Sequence, residues 1–225
     1  WDVAVSATDL LALYNNGNGL QYSLWDIRHP LKIGLISYHK CDETSGTTAT
    51  DSHGSNNGTI TGATINQTGK LNKCYSYDGT NDQVALSNES NYDFDRLDPF
   101  SISFWMKTSN TGVYKALITK GFNSSNSYRG WQVNQADTNV VNFDFCNTFA
   151  SNIFTRRGTT NVCDGNWHHV VVTYDGSGLV TGILIYVDGA EDSTSTIRNS
   201  LTATTLTNDE VRFGNNYINE YFLGE

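Results

Sequence analysis

Residues 168–189, HHVVVTYDGSGLVTGILIYVDG, place two apolar runs on either side of a glycine-rich turn. Valine and isoleucine dominate both runs, and β-branched side chains favour the extended backbone of a strand. Glycine supplies the backbone freedom that a reversal of the chain requires. This stretch therefore predicts a long β-hairpin.

The same kind of pattern continues on both sides of the hairpin. About a dozen short strand candidates separated by turn signals follow Leu35, which is typical of an antiparallel sandwich or jelly roll. SISFWMK, residues 101–107, alternates most cleanly, so it predicts a strand with two distinct faces. These faces carry Ile102, Phe104 and Met106 on one side and Ser101, Ser103 and Trp105 on the other.

Composition narrows the class of protein. The chain has 225 residues, a hydrophobic fraction of 38%, 20 glycines and a formal net charge of −9. Nucleic acids and anionic membranes attract clustered Lys and Arg, so this charge argues against both as partners. No apolar run approaches the roughly 20 residues of a membrane-spanning helix, so membrane insertion is not expected.

The N-terminal stretch differs from the rest of the chain. WDVAV, residues 1–5, reads as a strand in which Trp1, Val3 and Val5 alternate with other residues. SATDLLALYN, residues 6–15, reads as a short helix with Ser6 as its N-cap. The sequence thus predicts one helix in an otherwise all-β chain.

Three motifs carry a family resemblance: YDGTNDQV (77–84), SISFWMK (101–107) and the hairpin that opens with NWHHVVVTYDG (166–176). Together with their surroundings they resemble the LamG-like, concanavalin A-like jelly roll of bacterial and phage surface proteins. The resemblance covers residues 35–225 and implies a sandwich of two antiparallel sheets.

Residues 1–19 resemble the C-terminal end of such a domain rather than its beginning. The resemblance divides the chain into this strand and helix, a connector at 20–34, and a jelly roll at 35–225 that lacks its last strand. Two arrangements follow: Trp1, Val3 and Val5 form an assembly strand that completes a neighbouring unit, or they complete their own domain. An unfinished sheet edge needs a partner strand, and we favour complementation between copies or adjacent repeats.

The polar loop at 42–58 carries a predicted metal site. Calcium prefers carboxylate, amide and main-chain oxygens, which this loop supplies in abundance. Similar domains hold a structural calcium with a comparable loop and a further Asp, which implies Asp51, Asn57 and Asp78 as ligands here. The alternative is a solvated, turn-rich loop without a metal.

Four cysteines raise the question of disulfides. An even number in a turn-rich β chain is typical of an oxidising compartment. We expect Cys41–Cys74 and Cys146–Cys163, because each pair would join strands that are close in sequence. Cys41 and Cys74 both depart from the residues usual in the LamG-like family, which fits a paired replacement. The alternative is four buried thiols.

Glycan binding and catalysis are weaker readings of the same chain. Aromatic side chains can stack on sugars, and the candidates here are Trp105, Tyr128 and Trp131. Large aromatic side chains are, however, more often buried. Glycosidases need two carboxylates about 5–10 Å apart. YDFDRLD, with Asp93, Asp95 and Asp98, alternates only in part and reads as a loop.

The sequence therefore favours a non-catalytic structural module of an extracellular, cell-surface or virion protein, such as an adhesin, filament or phage tail. A carbohydrate-binding module is the alternative, and a glycoside hydrolase is the least favoured hypothesis.

Overall fold

The computed structural model describes residues 1–22 and 30–225, so residues 23–29 of the predicted connector lie outside the described residues. The helix is α1 (Ala7–Tyr14), and 3₁₀ turns lie at Asn15–Gly17, Pro30–Lys32, Glu89–Tyr92, Ser124–Asn126 and Val180–Gly182. In chain order the strands are β1 (Thr48–Ala49), β2 (Gly58–Thr61), β3 (Thr64–Thr68), β4 (Lys73–Asp78), β5 (Gln83–Leu86), β6 (Phe100–Lys107), β7 (Lys115–Gly121), β8 (Gly130–Gln135), β9 (Val140–Thr148), β10 (Asn152–Asn161), β11 (Trp167–Tyr174), β12 (Ile183–Val187), β13 (Ala190–Glu191), β14 (Ser195–Asn199), β15 (Val211–Phe213) and β16 (Leu223–Gly224).

The strands form two packed layers of antiparallel sheet, as the sequence predicts. One layer is a nine-stranded sheet in the order β1-β2-β5-β15-β7-β8-β9-β10-β14. The other layer is divided into a four-stranded sheet, β13-β12-β11-β6, and a three-stranded sheet, β16-β4-β3. The sequence pattern does not predict this division of the second layer.

The predicted hairpin at 168–189 is confirmed as β11 and β12. Val170 pairs with Val187 at one end of the ladder and Tyr174 with Ile183 at the other. Gly176 and Gly178, in the turn, have φ values of 75° and 73°, a region that side chains with a Cβ rarely adopt. β11 also pairs along its other side with β6, so this hairpin is the centre of the four-stranded sheet.

Aromatic rings from both layers meet in the core. Phe100 of β6 is fully buried, and its ring centroid lies 5.5 Å from Phe145 and 6.0 Å from Phe143, both on β9. Tyr174 and Phe94 contact the same ring, at 5.9 Å and 4.5 Å. Burying one such side chain contributes about 1.5–3 kcal/mol, so this cluster is a principal source of cohesion between the layers.

Helix α1 packs on the outer face of the four-stranded sheet. Ser6 is its N-cap, and the Ser6 hydroxyl oxygen accepts a hydrogen bond from the Asp9 N–H at 3.3 Å. Leu10 and Leu13 are buried in a small cluster that includes Val171 of β11. The N-terminal helix therefore rests on its own domain in this structure.

A buried lysine on β7 contacts two neighbouring segments of the chain. The Lys120 side chain on β7 is almost fully buried, and its ammonium contacts the carboxylates of Glu89 and Asp93, the latter at 2.9 Å. The same ammonium donates to the carbonyl oxygens of Glu89 (2.9 Å) and Asp209 (3.1 Å). This internal cation therefore joins the 3₁₀ turn at 89–92 to the loop before β15.

Replacing Lys120→Met should lower the free energy of unfolding by about 3 kcal/mol, because two partly buried carboxylates lose their counter-charge. Urea unfolding measures the effect. Lys40→Met is the matched control, since the Lys40 side chain is exposed and ion pairs of exposed lysines contribute at most about 1 kcal/mol. Equal losses in the two variants would contradict a structural role for the Lys120 cluster.

Candidate functional site

The free edge of β6 is the most unusual feature of the second layer. At one end, Trp1 and Ser101 exchange two backbone hydrogen bonds, of 3.0 and 3.1 Å. At the other end, Lys107 and Glu225 exchange two of 2.8 Å. The N–H and C=O groups of successive residues in an antiparallel strand point in alternate directions. Those of Ser103 and Trp105 therefore point to the same side as those of Ser101 and Lys107. Within the described residues, no hydrogen bond reaches the outward N–H and C=O groups of Ser103 and Trp105.

This unpaired stretch of β6, Ile102–Met106, is called the edge slot. It lies where the second layer is divided, because β16 pairs with β4 of the three-stranded sheet while the next residue, Glu225, pairs with β6. One extended segment in the edge slot would adjoin the four-stranded sheet along the side that faces the three-stranded sheet.

An apolar cavity of about 300 Å³ lies behind the edge slot. It is lined by β6 residues 101–106, by β4 and by the segment 36–41, with Trp1 and Glu225 among its lining residues. Both ring nitrogens of His39, which lines this cavity, are buried without a hydrogen-bond partner among the described residues. Burial lowers the pKa of His39. The cavity therefore favours apolar occupants and a neutral His39.

The outward side chains of β6 contact the N-terminal helix. Trp105 stacks on Tyr14 of α1 with 6.0 Å between ring centroids, and the Lys70 ammonium lies 5.1 Å from the Trp105 ring. The Ser103 hydroxyl lies 2.8 Å from His169 Nε2, and burial lowers the pKa of His169 to about 4. Side chains of α1 and β11 therefore contact the outer face of β6 at Trp105 and Ser103.

The predicted assembly strand lies at the far end of the edge slot rather than in it. The indole N–H of Trp1 donates to the Leu31 carbonyl at 2.8 Å. The Ser101 hydroxyl donates to the Val3 carbonyl and accepts from the Val5 N–H, both at 2.8 Å. Residues 1–5 therefore cap one end of β6 and leave the slot open.

The predicted calcium ligands are not brought together. Asn57 Oδ1 accepts from the Asp51 N–H at 2.9 Å, next to the start of β2. The Asp78 N–H instead donates to Asp82 Oδ2 at 2.8 Å, and Asp82 precedes the β5 residue that pairs with the end of β2. Strand β2 lies between the Asp51–Asn57 pair and the Asp78–Asp82 pair, and its length separates the two pairs by about 10 Å. The structure therefore places Asp78 apart from Asp51 and Asn57, and calcium binding stays a prediction.

The Asp51 carboxylate is already occupied by hydrogen-bond donors. Its two oxygens accept from the backbone N–H groups of Tyr38, His53 and Asn56, each at 3.0 Å, and from the Asn56 amide at 3.1 Å. Burial raises the pKa of Asp51, but these backbone hydrogen bonds outweigh it, so the net pKa is lowered. In residues 1–22 and 30–225, no three His, Cys, Asp or Glu side chains are grouped so that they could hold a metal ion. The Asp51 carboxylate therefore stabilises its own loop through these hydrogen bonds.

The predicted disulfides are absent from the structure, where Cys41, Cys74, Cys146 and Cys163 are free thiols. Cys146 pairs across the β9–β10 hairpin with Ile153, whereas Asn161, just before Cys163, pairs with Val140. Six residues of strand place the two thiols about 20 Å apart, far beyond disulfide range. Cys41 is partly buried and Cys74 is buried, and burial raises the pKa of both thiols, to about 11 for Cys74.

The three predicted sugar-binding aromatics lie in different places. Trp131 is 3% exposed and packs beside Phe94 and Phe100, where it lines the apolar cavity rather than the outer surface. Trp105 is half-buried under α1, as described above. Tyr128 lies 5.4 Å from the Phe149 ring, outside the cavity that Trp105 and Trp131 both line.

The outer face of the nine-stranded sheet carries a polar network that the sequence does not predict. Asp144 Oδ2 accepts from the side-chain amides of Gln132, Asn134 and Asn142 at 3.0–3.1 Å, and Oδ1 accepts from the Thr155 hydroxyl at 2.6 Å. The available signal is the alternation of amides with apolar residues in WQVNQ (131–135) and VVNFDF (140–145). All oxygens of this buried carboxylate are engaged, which suits a structural role.

The fold and these surfaces define a jelly-roll sandwich, and the sequence comparison agrees. Residues 78–225 match the model of the concanavalin A-like lectin/glucanases superfamily, Laminin_G_3. The chain belongs to this superfamily. No curated protein sequence matches the chain. None of the helices in the described part of the chain is long and apolar enough to cross a membrane.

Two solved structures show the same fold at low sequence identity. The binding domain of Paraclostridial Mosquitocidal Protein 1 is similar with a TM-score of 0.65 and 17% identity, covering 86% of this chain and 48% of that one. A tryptophan-to-alanine mutant of HCR/D is similar with a TM-score of 0.52 and 15% identity, covering 76% of this chain and 42% of that one. This chain thus spans about half the length of the first structure and less than half the length of the second.

Asp51→Asn should lower the free energy of unfolding by about 1–3 kcal/mol, because an amide nitrogen replaces an acceptor oxygen beside buried N–H donors. The loss should be the same in calcium and in EDTA, measured by thermal unfolding. Asp78→Asn is the control, because the exposed Asp78 carboxylate accepts one local N–H, from Thr80 at 2.8 Å. A calcium-dependent melting temperature that both variants lose would contradict this interpretation.

Proposed function

We propose that this chain is a non-catalytic structural module of an extracellular assembly, such as an adhesin, a filament or a phage tail. Its sandwich is completed by an extended strand from another unit. The observation that carries the proposal is the edge slot: four backbone groups of Ser103 and Trp105 face outward and have no partner among residues 1–22 and 30–225, between two paired ends of one strand.

The physical chemistry of an open sheet edge supports strand addition. Unpaired N–H and C=O groups form a template for another extended chain, and main-chain hydrogen bonds then supply affinity. The apolar cavity behind the slot adds a second driving force, because side chains entering it leave water. An edge with both properties binds a peptide strand better than it binds a small polar ligand.

The acidic groups of the chain support a non-catalytic role. Asp144 is saturated by four side-chain donors. Asp93 pairs with Lys120, and Asp95 accepts from the Thr205 N–H at 2.9 Å. Asp98 accepts from the Asp95 N–H at 2.9 Å. These carboxylates hold loops and strands in place, which argues against the glycoside hydrolase hypothesis.

Ser103→Pro tests the proposal directly, because proline removes an N–H that has no partner within the described residues and is tolerated at a strand edge. We expect the wild-type protein to form oligomers as its concentration rises, and Ser103→Pro to remain monomeric, in sedimentation velocity. Ser103→Ala keeps the N–H while losing the contact with His169, and it should assemble like the wild type. Assembly by Ser103→Pro, or a monomeric wild type throughout, would overturn the proposal.

A second candidate function is glycan binding at an aromatic surface patch. Phe149 is 36% exposed, lies beside Tyr128, and carries the Arg198 guanidinium 4.2 Å from its ring centroid. Exposed aromatic rings stack on sugars, while a neighbouring guanidinium can donate to hydroxyl or carboxylate oxygens. The lectin members of the superfamily make a sugar a reasonable ligand for such a patch.

Tyr128→Ala and Phe149→Ala should each abolish binding on a glycan array if this patch recognises sugars. Tyr114→Ala is the matched control, because Tyr114 is 40% exposed and also lies under a guanidinium, that of Arg157. Retained binding in the two patch variants, or no binding by the wild type, would exclude this second function.

A further inference from the structure

We propose that the Lys120 side chain forms an amide bond with the Asp93 carboxyl group, an intramolecular cross-link that the folded chain makes by itself. In this reaction Lys120 Nζ is the nucleophile and Asp93 Cγ is the acylated carbon, while the Glu89 carboxylate carries protons. The inference does not depend on the proposed assembly function. It assigns a covalent modification to the ion cluster of β7.

The contacts of the ammonium assign these roles. The three N–H groups of Lys120 Nζ have three acceptors, which are the Glu89 carboxylate and the carbonyl oxygens of Glu89 and Asp209. Asp93 Oδ1 is a fourth neighbour, 2.9 Å from Nζ. This oxygen is buried and accepts no hydrogen bond in the described part of the chain. The Asp93 carboxylate thus contacts the nitrogen without accepting one of its protons, so we assign it as the acylated group.

Both reacting groups are held in place by packed neighbours. Lys120 lies within the nine-stranded sheet, where it pairs with Trp131 of β8. Asp93 lies between Tyr92 and Phe94, whose side chains are buried, and the Trp131 indole donates to the Tyr92 carbonyl at 3.2 Å. Well-oriented groups of one molecule reach effective concentrations of about 10⁵–10⁸ M. An amine and a carboxyl group that do not combine in dilute solution can therefore condense here.

The reaction balances without a further reactant. The Lys120 ammonium gives one proton to the Glu89 carboxylate, which passes it to the Asp93 carboxylate. The neutral amine then attacks Asp93 Cγ, and the C–N bond forms. A second proton from the nitrogen travels through Glu89 to the leaving oxygen, the C–O bond breaks and water departs. One ammonium and one carboxylate thus become one amide and one water molecule, and Glu89 is a carboxylate again.

Burial of the charged groups favours the product. The Lys120 side chain is 2% exposed, and a buried ammonium and its carboxylate partner both carry a desolvation cost that a neutral amide avoids. The Asp93 side chain is 29% exposed, which lets the released water leave. The Glu89 side chain is 30% exposed, so its carboxylate stays hydrated after the ammonium charge is lost.

The cross-link would join the two layers of the sandwich. Asp93 lies in the segment that leads into β6 of the four-stranded sheet, whereas Lys120 lies on β7 of the nine-stranded sheet. The bond therefore closes a covalent loop that contains the whole of β6. A closed loop restricts the unfolded chain, as a disulfide does, and so opposes separation of the layers.

Mass spectrometry of the wild-type chain tests the proposal. A chain isolated unfolded in urea should have the mass of its sequence, and refolding at neutral pH should lower that mass by one water molecule. Tryptic digestion should then give a branched peptide that joins residues 74–96 to residues 116–129, because trypsin does not cleave after an acylated lysine. The exposed Lys40 ammonium, 3.5 Å from the Asp42 carboxylate, is the internal control and should stay unmodified.

Three variants separate the roles of the residues. Lys120→Arg and Asp93→Ala should keep the masses of their sequences, because each lacks one reacting group. Glu89→Gln keeps both reacting groups and should lose water about 10²-fold more slowly or less, because general acid–base catalysis is removed. An unchanged rate in Glu89→Gln would overturn the role of Glu89.

The wild-type masses decide the proposal even where a variant fails to fold. A refolded wild-type chain that keeps the full mass of its sequence would overturn the cross-link. Loss of water without a branched peptide would overturn it as well, because a cyclic imide at Asp93 has the same mass and joins no second peptide.

Discussion

The antiparallel ladder between β6 and β11 is the constraint on which the second layer depends. Pairing on one side of β6 directs alternate backbone groups to the other side, where no hydrogen bond in the described chain reaches the outward N–H and C=O groups of Ser103 and Trp105. The division of the layer into two sheets, the apolar cavity, Trp1 and Glu225 all lie along this edge. A strand at the edge slot would therefore change packing and hydrogen bonding together.

The rest of the sandwich is stabilised independently of the slot. Phe100 joins the layers through rings from β9 and β11, at the end of β6 that precedes the edge slot. Lys120 anchors loops to the nine-stranded sheet, and Asp144 fixes the relative positions of β8, β9 and β10 through its four donors. The chain can therefore hold its fold and still present an unfinished edge, which is what an assembly module requires.

Local patterns in the sequence predict the elements well and the sites poorly. The alternation in SISFWMK gives the two faces of β6, and Ser6 gives the start of α1, because both depend on neighbouring residues. The Cys146–Cys163 pairing fails because hairpin register, set by the turn near Ser151, places Ile153 opposite Cys146. Asp51 has the chemistry of a calcium ligand, yet only the fold shows that backbone N–H donors surround it. The ion cluster of Lys120 joins residues 31 and 89 positions apart, which no local pattern contains.

Amide hydrogen exchange at β6 measures the central claim most directly, in a dilute sample in which the protein is monomeric. Alternate amides of the strand should behave differently, because Ile102 and Phe104 point their N–H groups toward β11 while Ser103 and Trp105 point theirs into the edge slot. The account predicts slow exchange at Ile102 and Phe104 and exchange faster by orders of magnitude at Ser103 and Trp105. Equal protection of all four amides would show that the edge is already paired and would contradict the account.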